Sequence, residues 1–284
     1  VAVALAVACW IVGNPPSSGP DEPSHMVTSA GLLRGDLDGD VNPDDPATRL
    51  YEVPGVVGAP DPGCWAQQPT VGVGCAADLP VPDGDTVHAS TSYNYAPWAF
   101  LLPGIASFTP WGDSYILLAR AFSALIPVLL IAGACSVLAR QRPILGAAAL
   151  TGTTPIVWFT LGVVNPSALA IAGGLALWSG LLSPPSRLSR LLTVAGWAAV
   201  LVTRRDGPLW ASAIVLTSCA LVGARPRTLW NELGQRAKWF TLALLVVPLF
   251  PLLARGDYGF NLALAASTFS ILAADVVAAW WNRN

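Results

Sequence analysis

Charge is what this chain has least of. Only 11% of its 284 residues are Asp, Glu, Lys or Arg, two are histidine, and Lys238 is the single lysine, whereas a soluble domain is charged at roughly a quarter of its positions. With no basic face to neutralise phosphates, nucleic acid is excluded as a partner. Cysteine is also sparse, and its spacing contains no C-x-x-C pair of the kind that holds zinc. Five cysteines do not make a disulfide scaffold. Cys9, Cys135 and Cys219 fall in apolar runs, where a thiol acts as a small hydrophobe. Cys64 and Cys75 share a polar stretch, and they are expected to close a disulfide there if that stretch lies outside the cytoplasm.

What is present instead is apolar residue, 54% of the chain, with a formal net charge of only -2. This reads as an all-α polytopic membrane protein of about eight transmembrane helices with a large first extracytoplasmic loop. Three regions follow from the pattern: 1–13, the end of a first transmembrane helix; 14–112, the loop; and 113–284, a seven-helix bundle. Val1 to Gly13 is apolar but shorter than the roughly 20 residues needed to cross the hydrocarbon core. With no initiator Met, it reads as the outer end of a helix that begins earlier, with a signal-peptide remnant as the alternative.

The loop is rich in Pro, Gly and Asp, too polar to cross and too long to be an idle connection. Glu22 to Leu33 is expected to be a short helix, with Asp21 at its N-cap, Pro23 in the first turn, and Met26, Ala30 and Leu33 at helical spacing. Tyr95 to Phe108, apolar, aromatic and broken by Pro103, reads as an interfacial helix or re-entrant segment. The predicted spans are then Ser114 to Ala139, Pro143 to Val163, Ser167 to Leu182, Leu191 to Val202, Leu209 to Gly223, Trp239 to Leu253 and Asn261 to Trp280. The Leu191 and Leu209 spans are short, so they either extend into their flanks or form a broken pair.

Arginines set the expected orientation. Arg140, Arg142, Arg187, Arg190, Arg225, Arg227, Arg236, Lys238 and Arg283 fall on the cytoplasmic side if the acidic loop is outside. Arg204, Arg205 and Arg255 fall on the outer side, against the trend. Asp21, Glu22, Asp113, Arg120, Asn165, Arg204, Arg205, Asp206, Arg255 and Asp257 then converge at the outer face. A carboxylate at a partly desolvated edge serves as a general base, and arginines suit phosphate. A charge inside a helix, as at Arg120, needs a partner or a cavity. Asp113 or Asp21 is the structural alternative to phosphate for it. His25 and His88 read as packed or hydrogen-bonded residues, and Asp275 is left unassigned. Asp36, Asp38, Asp40, Asn42 and Asp44 place oxygens at alternating positions that suit calcium. The glycine is misplaced for an EF-hand and the closing Glu is missing, so a solvated acidic turn is the rival.

The order of a first helix, an outer loop opening with Asp21-Glu22, the stretch Y-N-Y-A-P-W-A-F-L-L-P and a helix containing L-A-R-A-F-S-A-L resembles the GT-C class of membrane glycosyltransferases. P-D-E-P-S-H, G-T-T-P-I-V-W-F-T-L-G-V-V-N-P-S-A-L-A and T-R-R-D-G-P are similar to a bacterial, actinobacterial-like integral-membrane family grouped with that class. The resemblance implies Asp21 as catalytic base, with Glu22 its assistant or substitute. It implies a polyprenyl-phosphate-linked sugar as donor and a glycan or glycolipid acceptor at the outer face of a bacterial plasma membrane. Arg120, Arg204, Arg205 and Asn165 would bind substrate or phosphate, and a divalent cation, Mg, Mn or Ca, would assist if any cofactor does. A lipid or polymer transporter or flippase and a non-catalytic scaffold of envelope synthesis are the alternative functions.

Overall fold

A computed structural model describes residues 1–58, 68, 70–72, 75, 82–109, 114–184, 186–203 and 206–222. They fall in two units, Val1–Val128 with Thr154–Ala168, and Leu129–Thr153 with the chain from Leu169 onward. The first unit opens with α1 (Ala2–Gly13) and α2 (Glu22–Leu33). Strands β1 (Asp40–Val41), β2 (Arg49–Pro54) and β3 (Asp85–Ser90) form an antiparallel sheet in the order β1-β2-β3. A turn of helix, α3 (Gly55–Gly58), leaves β2, and α4 (Leu101–Gly104) stands between 3-10 turns at Pro97–Ala99 and Ile105–Phe108. The sheet is an addition to the all-α expectation. It arises because Tyr51 and Val53 alternate with exposed Glu52 along β2 and bury one face only.

α2 is the axis of this unit, buried along most of its length against β2, β3, α3 and α4. Met26, Val27 and Ala30 pack with Tyr51, Val53, Val57, Ala106, Tyr115, Ile116, Ala119 and Val164. Glycine permits two of these approaches. A Cβ on Gly31 would lie 2.4 Å from the Tyr51 ring, and one on Gly104 would lie 2.4 Å from the Ser29 carbonyl oxygen. The polar residues of α2 are pinned as well. Thr28 shares a hydrogen bond with Ser90 at 2.7 Å, Ser90 donates to the Ser24 carbonyl at 2.8 Å, and the His25 Nδ1 meets the Ser92 hydroxyl at 2.9 Å. His25 is further walled by the rings of Tyr95 and Phe100.

α5 (Tyr115–Gln141) has 27 residues, about 40 Å at 1.5 Å per residue, enough to cross a hydrocarbon core of about 30 Å. It is the one described helix that is by itself long and apolar enough to do so. The span expected over Pro143 to Val163 is two helices, α6 (Pro143–Gly152) and α7 (Pro155–Leu161). Pro155 cannot donate back into a helix arriving from Gly152 and instead sits at the first position of a new one. α8 (Pro166–Leu181), α9 (Arg187–Thr203) and α10 (Gly207–Val222) follow. α9 starts ahead of the expected Leu191 because Ser186 and Ser189 cap it reciprocally. The Ser189 N–H donates to the Ser186 hydroxyl at 3.0 Å, and the Ser186 N–H donates to the Ser189 hydroxyl at 2.8 Å.

In the second unit α8 and α9 meet backbone to backbone. A Cβ on Gly196 would lie 2.5 Å from the Leu177 nitrogen, and one on Gly173 would lie 2.8 Å from the Ala199 Cβ. Small residues that let backbones approach this closely are the usual means of joining helices in lipid, where no hydrophobic gain drives the contact. The spans expected over Trp239 to Leu253 and Asn261 to Trp280 lie outside the described residues.

Candidate functional site

The Asn14–Glu22 turn between α1 and α2 holds the first predicted carboxylates, and a buried arginine organises it. Arg120, one turn into α5, is fully buried. Its Nε and Nη2 donate to the two oxygens of Glu22, each at 2.8 Å. Nη1 donates to the carbonyls of Ile11 at 3.1 Å and Asn14 at 2.7 Å, and Nη2 to that of Pro15 at 2.7 Å. These five bonds use all five N–H groups of a guanidinium. Three of them finish the C-terminal end of α1, where unpaired carbonyls and the helix dipole favour a cation. Glu22 is as fully committed. Beyond Arg120 it accepts the Val164 N–H at 2.9 Å and the Gly19 N–H at 3.4 Å. Four segments, the end of α1, the start of α2, α5 and the Gly162–Val164 turn, therefore share one ion pair.

This geometry corrects three expectations. Arg120 has no N–H left for a phosphate, and its carboxylate partner is Glu22 rather than Asp113 or Asp21. Glu22 has neither an exposed oxygen nor a free lone pair with which to act as a base. The sequence signal for the pairing was the adjacency of two acids, of which only one can follow Pro20 outward while the other starts α2 inward.

Asp21 is the outward one. It stands at the N-cap of α2, as expected, but with φ 58° and ψ 11° and without a side-chain cap bond. An N-cap carboxylate ordinarily reaches the N–H groups at the second or third helical position from extended backbone. Here the second position is Pro23, which has none, and the left-handed backbone turns Asp21 away. A left-handed aspartate costs on the order of 1 kcal/mol against glycine, and its exposed carboxylate gains no hydrogen bond among the described residues in return. Its backbone is nevertheless fixed, since the carbonyl accepts the His25 N–H at 2.9 Å and the next residue is Glu22.

Asn165 borders the same lip. Its Oδ1 caps α8 by accepting the Ser167 N–H at 2.8 Å, and its Nδ2 faces the Pro20 carbonyl at 3.5 Å. Asp21 and Asn165 are thus brought to one edge over the buried pair. Gly162 lets this edge close against α1, because a Cβ there would lie 2.7 Å from that of Trp10, whose ring meets Phe159 edge-on at 6.2 Å.

The other expected residues lie apart. Asp36 accepts the Gly39 N–H at 2.8 Å, Asn42 accepts the Asp44 N–H at 3.1 Å, and Asp40 opens β1. These oxygens close local turns, and among the described residues no group of three or more His, Cys, Asp and Glu converges on a metal position. Cys75 is disulfide-bonded, while Cys9 and Cys135 are free. Asp113, Arg204, Arg205 and Cys64 lie outside the described residues. His88, packed beside Thr86 on β3, has its pKa lowered by burial.

A family model described as "Predicted membrane protein (DUF2142)" matches residues 5–277. No curated protein matches the chain, and no solved structure does.

Proposed function

Because the chain belongs to the predicted membrane protein family DUF2142, we propose that it is a multi-pass membrane glycosyltransferase of GT-C type. It works at the outer face of a bacterial plasma membrane on a polyprenyl-phosphate-linked sugar and a glycan or glycolipid acceptor. The observation that carries this reading is Asp21, an exposed carboxylate in left-handed backbone, held by a rigid frame and bound to nothing among the described residues that would use its charge structurally. A polar group kept at a strained position on an over-determined frame is what a site needs and a fold does not.

In the proposed reaction an acceptor hydroxyl oxygen attacks the anomeric carbon as the bond from that carbon to the phosphate oxygen breaks. The hydroxyl proton passes to Asp21, and the polyprenyl phosphate departs with the electron pair. Direct displacement inverts the anomeric centre. Asn165, at the same edge, orients the acceptor or the sugar by hydrogen bonds, while Arg204 and Arg205 receive the leaving phosphate. Glu22 and Arg120 act only through the position of Asp21.

The test is transfer of labelled sugar from a polyprenyl-phosphate donor in vesicles carrying the full chain. Asp21→Asn is expected to lower turnover by a factor on the order of 10² to 10⁴, the usual range for a positioned base, with the protein still folded. Full transfer by a folded Asp21→Ala would overturn the reading. The interruption between α6 and α7 favours the transporter as the second reading, since broken helices frame many transport sites. Donor-dependent flux of lipid between leaflets, unaffected by Asp21, would select it.

A further inference from the structure

The segment from Trp98 to Phe108 has two apolar faces, and the first unit uses only one of them. Phe100, Gly104, Ala106 and Ser107 are buried, with Gly104 seated on the Ser29 carbonyl and Leu33 of α2. Trp98, Leu101, Ile105 and Phe108 point the other way, exposed by 50%, 38%, 39% and 58%. Their spacing of three, four and three places them along one side of a helical path, and no charged residue interrupts it. We propose that this side lies in the outer headgroup layer of the bilayer that α5 crosses.

Three observations identify lipid as the occupant. The face is close in sequence to the candidate bilayer-crossing helix: Phe108 precedes the first residue of α5 by seven positions, at most about 25 Å of extended chain. Leu117, in the first turn of α5, is exposed in the same way, by 40%. The face also has the composition of an interface, with aromatic residues at both ends and branched aliphatics between them. Finally, a cation stands at its edge. Arg34 lies over the Phe108 ring at 4.7 Å and bonds the Ala30 carbonyl, the Ser107 hydroxyl and the Ser107 carbonyl. These bonds use three of its five N–H groups, and the others have no partner among the described residues. A half-buried arginine anchored to the rim of an apolar face is positioned for lipid phosphate.

The experiment is collision-accessibility spin labelling of the full chain in vesicles of phosphatidylcholine and phosphatidylglycerol, with Cys9→Ser, Cys135→Ser and Cys219→Ser to remove the thiols outside the proposed loop disulfide. Labels go at Leu101→Cys and Ile105→Cys. Leu125→Cys on α5 is the lipid reference and Glu52→Cys on β2 the water reference. Both face labels are expected to collide severalfold more with oxygen, relative to a water-soluble nickel complex, than the label at 52, approaching the ratio at 125. A nickel-dominated ratio at either position, like that at 52, overturns the proposal. So does a label shielded from both reagents, which would mean that protein, from this chain or a second copy, covers the face. The measurement reads depth and not transfer, so it fails or succeeds independently of the catalytic reading.

Discussion

At the scale of single residues, the Glu22–Arg120 pair separates what holds the turn from what the turn displays. Removing either partner leaves the other charged in a fully buried site, which costs about 3–5 kcal/mol in comparable buried pairs. Glu22→Gln and Arg120→Met are each expected to show a loss of that order in thermal unfolding of the detergent-solubilised chain. A Glu22→Leu, Arg120→Met double variant should lose less than either single, because no orphaned charge remains. Asp21 should behave in the opposite way. Asp21→Gly relieves a left-handed backbone, so stability is expected to hold or rise by up to about 1 kcal/mol while the proposed transfer is lost. A destabilised Asp21→Gly would mean that the aspartate side chain supports the fold.

His88 supplies a pH dependence of known sign. Burial against Gly58, where a Cβ would meet the imidazole at 2.1 Å, lowers its pKa from 6.5. The unfolded chain therefore takes up this proton first as pH falls, so stability drops below about pH 6.5, until the folded protein is protonated too, and is unaffected above it. A His88→Gln variant should unfold with less dependence on mildly acidic pH than the native chain.

At the scale of elements, the contrast lies within α8 and α9. Gly196 sits where a side chain would strike the α8 backbone, whereas a Cβ on Gly174 would meet only Ile214 at 3.6 Å. Gly196→Leu is expected to cost about 3 kcal/mol or more by forcing the helices apart, and Gly174→Ala to be neutral or to gain up to about 1 kcal/mol of helix propensity. Comparing their melting temperatures in one detergent checks both. The sequence revealed such elements unevenly. α2 was legible from Asp21, Pro23 and the spacing of Met26 and Ala30, and α5 from its apolar length, which Arg120 alone interrupts with a charge before Arg140. The break at Gly152–Pro155 was not, although G-T-T-P is visible, because the apolar pattern continues across it while the backbone hydrogen bonds do not. The sheet was missed because β2 and β3 are far apart in sequence and their pairing depends on α2 filling one face. The partner of Arg120 was missed for a related reason. Glu22 lies 98 residues away, and the adjacent acids do not by themselves say which of the two turns inward.

At the scale of the whole molecule, the side of the membrane on which Asp21 stands is tied to the oxidation state of the loop. Cys75 and Asp21 belong to the same unit, and Cys75 is in a disulfide, a bond that persists on the oxidising side of a membrane and is rare in the cytosol. With Cys9 and Cys135 free, Cys64 and Cys219 are the candidate partners, and the proposed loop closure takes Cys64. Thiols counted by maleimide mass shift, in denatured protein without reductant, decide between them. Cys64→Ser should expose one thiol more than the native chain, and Cys219→Ser should expose one fewer. The reverse would place the bond at Cys219. In intact cells, a membrane-impermeant maleimide should then reach the Cys75 freed by Cys64→Ser without detergent. Labelling only after the membrane is opened would put the loop, and Asp21 with it, on the cytoplasmic side, where an extracytoplasmic acceptor could not meet it.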